Sequence, residues 1–144
     1  MEALTAERLA EPIHAMDRAV AVSKVIGSTG FERNEERIRS KALESYNRAY
    51  NPDGIARQMA AVMAHGDRRP GLNQLALPCL AVHGDVDPLV PVTGGQDTHQ
   101  NVPGAELMII EGLGHDMPKG ARSQIVKGVA SLTDQANTTA PNGA

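Results

Sequence analysis

Two short segments hold most of the residues able to do chemistry, His83-Gly84-Asp85-Val86-Asp87-Pro88-Leu89-Val90-Pro91 and Gly112-Leu113-Gly114-His115-Asp116-Met117-Pro118. A neutral imidazole, with a reference pKa of about 6.5, takes a proton from a weak nucleophile at neutral pH. A carboxylate on its far nitrogen fixes the tautomer and stabilises the imidazolium. Asp85, Asp87 and Asp116 are the available acids, and His83 and His115 the available bases. Consecutive residues rarely face each other, so Asp116 is a poor partner for His115. It is expected instead to cap a helix begun at Pro118. The same side chains are hard or borderline metal ligands, but no His-x-x-x-His or Glu-x-x-His pair supports a metal site, and no cofactor is expected.

Each segment follows an apolar run of strand length. Pro78-Cys79-Leu80-Ala81-Val82-His83 ends at Gly84, and Glu106-Leu107-Met108-Ile109-Ile110 is stopped by Gly112. Both are apolar on two faces, as strands of a helix-covered parallel sheet are. A short helix over Thr93 to Asn101 can join them, and a closing helix carries Ile125, Val126, Val129 and Leu132 on one face. Ligand and catalytic groups in open α/β sheets gather at the carboxyl ends of strands, where both loops lie. His83 is expected to pack at its strand end. Two strands with both faces buried leave two unpaired edges, so they should extend a larger sheet.

Upstream of Pro70 the periodicity is helical. Leu9, Ile13, Met16 and Val20 mark one apolar face. A second helix spans about Asn34 to Tyr50, with Glu35 and Glu36 complementing the dipole in its first turn. After the turn Asn51-Pro52-Asp53-Gly54 a third opens, with Ile55, Met59, Val62 and Met63 on one face and Gly66 as a stop. Met-rich stripes of this kind are expected to be core. Asp67 to Gln74 reads as a polar connector, and residues 137–144 as a polar tail.

From Leu75 to Leu132 the chain resembles the α/β-hydrolases. Leu77-Pro78 to Pro91 is similar to the strand of that family that ends in His-Gly and presents the triad acid before Pro-x-x-Pro. Pro103-Gly104-Ala105 to Pro118 resembles its last strand, whose Gly-x-Gly-His loop supplies the catalytic histidine. Matched residue by residue, the resemblance makes Asp87 the acid and His115 the base. Asp85 is left to cap the turn through its own backbone. It implies an α/β fold in three parts: a helical cap-like segment over 1–72, a β-α-β-α part of the hydrolase core over 73–136, and the tail. The sheet is incomplete.

The nucleophile of such hydrolases sits on a Gly-x-Ser-x-Gly elbow between a strand and a helix. None of Ser23, Ser28, Ser40, Ser45, Ser123 and Ser131 has that context. Gly27-Ser28-Thr29-Gly30 comes nearest, but it follows a helix and its glycine spacing differs. Cys79 lies within an apolar run and reads as an inert thiol. The expectation is a C-terminal piece of a serine esterase or lipase-like enzyme, lacking residues before Met1 and inactive alone. An N-terminal half would complete it for a small ester-like substrate.

A different class is also open: a non-catalytic binding or assembly module that pairs its strand edges with another chain or a copy of itself. The composition narrows the partners further. With no Trp, one Phe, two Tyr and a net charge of −3, the chain lacks both the stacking surfaces and the basic face of nucleic-acid binders. No stretch is long and apolar enough for a membrane span, and a single cysteine requires no oxidising compartment, so a cytoplasmic location is expected.

Overall fold

The computed structural model describes residues 11–139. They divide into two compact units, one holding the residues up to Gly27 and Arg33–Asp67, the other Ser28–Glu32 and the residues from Arg68 on.

The first unit is helical. Helix α1, Pro12–Ile26, starts on a proline whose missing N–H costs nothing at that position. The Gly27 amide closes it by donating to the Ser23 carbonyl at 3.1 Å. Helix α2, Glu35–Arg48, is capped by Asn34, whose side chain accepts from the Arg37 amide at 2.8 Å. α1 and α2 pack on each other, burying Val20, and exposed ion pairs Lys24–Glu35 and Arg39–Asp17 cross between them. Such pairs add little stability. Leu9, expected on the α1 face, lies outside the described residues.

Helix α3, Pro52–Ala64, is capped by Asn51, which accepts from the Gly54 amide at 2.9 Å. The turn expected at Asn51–Gly54 is thus the first turn of the helix itself. The stripe expected to be core is not: Ile55 is 69% exposed and Met63 80%, with Met59 and Val62 exposed as well. Periodicity specifies an amphipathic helix, whereas burial needs a facing surface.

The second unit carries the sheet. The connector contains a one-turn helix, α4, Arg69–Leu72, with Pro70 in its first turn. Strands β1, Leu80–Gly84, and β2, Glu106–Ile110, run parallel, with Leu80 opposite Glu106 and Gly84 opposite Ile110. Their ladder begins one residue before β1, where the Glu106 amide donates to the Cys79 carbonyl at 2.8 Å. Among the described residues the sheet has only these two strands. Helix α5, Val92–Asn101, connects them and packs on both.

Pro118 does not begin the closing helix. Its backbone is extended, a 3₁₀ turn follows at Lys119–Ala121, and α6 then runs over Arg122–Thr139. The expected tail is therefore helical through Thr139, and 140–144 lie outside the described residues. α6 also presents a different face from the one expected. Ile125 packs on the core, and a Cβ at Gly128 would meet the Met108 and Leu80 side chains, while Val126 and Val129 point outward. The core is small: Ile110, Leu113 and Ala121, covered by Phe31, Val82, Met108 and Ile125. No helix among the described residues is long and apolar enough to cross a membrane.

Candidate active site

Asp87 stands three residues beyond the end of β1, in a loop closed by its own side chain. Oδ1 accepts from the Leu89 amide at 2.8 Å and the Val90 amide at 2.9 Å, as aspartates do in turns. Oδ2 faces the other way and accepts from His115 Nδ1 at 2.8 Å. The two residues expected to form an acid–base pair are therefore in contact across the ends of adjacent parallel strands. The Asp87 carboxylate is 6% exposed and the His115 imidazole 42%, so the carboxylate is enclosed and the ring is accessible. Burial alone would raise the Asp87 pKa. The Val90 amide, the His115 ring and the Leu89 amide outweigh it and hold the carboxyl below its ordinary value.

The loop after β2 owes its path to backbone contacts that no side chain could accompany. Gly112 has φ +70°, and a Cβ there would lie 2.5 Å from the Gly30 Cα. Gly114, two residues on, does not have a positive φ. At the end of β1, a Cβ on Gly84 would fall 2.0 Å from the Leu113 carbonyl oxygen, so glycine lets the two loops touch.

Two expected minor roles differ. Asp85 does not cap its own turn. Its Oδ1 accepts from the Gly112 amide at 2.7 Å and ties the first loop to the second. Asp116 does not cap a helix, because none starts at Pro118. Its Oδ1 accepts from both the amide and the hydroxyl of Ser28, the amide at 2.8 Å. His83, on β1, donates from Nε2 to the Val90 carbonyl at 2.9 Å, bracing the loop that holds Asp87.

Ser28 is the residue that sequence reasoning missed. Weighed only as a nucleophile, it is buried, and its hydroxyl is bonded to Asp116 and to the Gly114 amide. The one available signal was the Gly-Ser-Thr-Gly composition of its turn, which does not disclose a partner 88 residues away. Among the described residues no cluster of three or more His, Cys, Asp or Glu side chains could hold a metal ion.

The family pattern described as TAP-like protein, an α/β-hydrolase pattern, matches residues 55–142. No curated protein matches the chain by sequence. Among solved structures, the chain is similar to a serine hydrolase involved in carbazole degradation (CarC enzyme). The TM-score is 0.59 with 17% identity, over 90% of this chain and 51% of that one. It is also similar to Est816, described as an N-acyl homoserine lactone degrading enzyme, with a TM-score of 0.52 and 19% identity over 88% of this chain and 53% of that one. At these identities the likeness is one of fold, and the chain spans about half the length of each. A family pattern covering more than half of the sequence, on a partial fold of the same kind, makes this chain a member of the α/β-hydrolase family.

Proposed function

We propose that this chain supplies the acid–base side of a serine hydrolase site, with Asp87 as the orienting acid and His115 as the general base. The observation that carries the reading is the 2.8 Å contact between His115 Nδ1 and an Asp87 carboxylate already held by two amides. With Nδ1 donating to Asp87, Nε2 carries the lone pair and has no partner among the described residues. It can take a proton from a hydroxyl nucleophile attacking an ester carbonyl and return it to the leaving alkoxide. Attack would form an acyl–enzyme ester and release the alcohol. Water, deprotonated in turn by His115, would then release the acid.

The nucleophile and the oxyanion donors come, on this reading, from a further segment that completes the sheet. Ser28 is not that nucleophile, since its hydroxyl is already engaged. The segment 1–72 is read as cap-like, and a cytoplasmic setting suits a chain with one cysteine. The expected outcome is that the 144-residue chain alone cleaves p-nitrophenyl esters no faster than buffer. Joined to a serine-bearing N-terminal half, it turns them over, and His115→Ala or Asp87→Asn lowers kcat by on the order of 10³–10⁴-fold. Turnover by the isolated chain that disappears in both variants would overturn the dependence on a second segment.

A second reading, an assembly module, is favoured by the exposed α3 stripe and by a sheet that has only two strands among the described residues. A folded homodimer in sedimentation, indifferent to His115→Ala and Asp87→Asn, would support it over hydrolysis.

A further inference from the structure

We propose that Ser28, acting with Asp116, is a positioning residue for His115. The inference rests on the acid–base reading of Asp87 and His115. The histidine's two sequence neighbours are both bonded to this one serine. The Gly114 amide donates to Ser28 Oγ at 2.9 Å. The Ser28 hydroxyl donates in turn to Asp116 Oδ1, and the same oxygen accepts from the Ser28 amide at 2.8 Å. The cycle therefore closes around residue 115.

The rest of the loop is anchored in the same direction. The Gly112 carbonyl accepts from the Thr29 amide at 3.1 Å and the Gly30 amide at 2.9 Å, while its own amide donates to Asp85. Leu113 is buried, and its carbonyl accepts from the Val86 amide at 3.2 Å. Phe31, three residues after Ser28, packs on the core and against Gly120, which holds the 28–32 segment in place. Between two pinned neighbours, the backbone of His115 has little freedom, and the ring points at Asp87. A histidine on a free Gly-rich loop would instead sample many orientations and both neutral tautomers. The clamp keeps Nδ1 on the carboxylate and leaves Nε2 outward.

The histidine tautomers of the ¹⁵N-labelled 144-residue chain test this at a pH of about 8.5, where an ordinary imidazole is neutral. In the unaltered chain His115 is expected to show one dominant tautomer with Nδ1 protonated, unlike the exposed His14 and His65 in the same spectrum. Ser28→Ala and Asp116→Ala should each move His115 toward the mixture that His14 and His65 show. Asp116→Asn, which keeps an Oδ1 acceptor for Ser28, should restore the single form. Ser28 is buried and its loss could unfold the loop. Asp116 is an exposed residue, so Asp116→Ala decides the matter with the β2 amide pattern unchanged. A His115 that keeps its single tautomer in folded Asp116→Ala overturns the clamp and leaves the acid–base reading intact. An unaltered chain in which His115 shows the mixed form overturns the Asp87–His115 pair, and the clamp with it.

Discussion

Asp87 divides its work between two oxygens. One is spent on the Leu89 and Val90 amides and fixes the loop, and the other fixes the His115 ring. Because these donors hold the folded-state pKa below the ordinary value of about 3.9, ionised Asp87 stabilises the fold. That contribution is complete above the ordinary value and is lost as pH falls through the depressed one. Asp87→Asn should destabilise the chain at neutral pH by about 1.5–3 kcal/mol, the range for hydrogen bonds to a charged group. The variant should also lose less stability than the parent between about pH 5 and pH 2. Urea midpoints measured across that range check both. Parallel acid profiles for the two proteins would contradict the role given to this carboxylate.

At the scale of elements, the site depends on how closely two loops and the 28–32 segment approach. Gly112 and Gly104 both have positive φ, but a Cβ at Gly112 would meet the Gly30 backbone, and one at Gly104 would meet nothing within 4 Å. Gly104→Ala should therefore cost only the conformational penalty, about 1–2 kcal/mol. Gly112→Ala should cost clearly more, because two backbones must also separate. The difference between the two, measured by urea denaturation, isolates the contact from the dihedral. Equal losses would mean that the Gly30–Gly112 approach contributes nothing.

For the whole molecule, apolar residues are unevenly covered. Ile110 is 2% exposed at the centre of a small core, while the α3 stripe and the outer face of α6 are uncovered. Ile110→Ala should cost about 2–5 kcal/mol, as a truncated core side chain does. Ile55→Ser and Met63→Ser should each stay within about 0.5 kcal/mol, as exposed substitutions do. Chemical denaturation of the three variants separates these outcomes. A large loss at Ile55 or Met63 would show that the α3 face is covered in solution. The open faces and the two-stranded sheet accord with a chain that spans about half of its structural neighbours.

Much of this was legible in the residues alone, where the cause is local. Apolar runs of strand length located both strands, β2 to the residue, and Glu35 and Glu36 stand in the first turn of α2, where they complement the dipole. The Gly-x-Gly-His and His-Gly-x-x-Asp patterns identified the two side chains that meet, since a family spacing encodes which strand ends adjoin. Only the tertiary structure decided which apolar faces are buried, because a stripe such as Ile55-Met59-Val62-Met63 carries no information about whether another surface lies opposite. The partners of Asp85 and Asp116 were likewise undetermined. Local rules assign an aspartate to the nearest amide, yet Asp85 bonds to a residue 27 positions away and Asp116 to one 88 away. Those long-range bonds tie down the loop on either side of His115, so the sequence named the histidine and the fold determined how its loop is held.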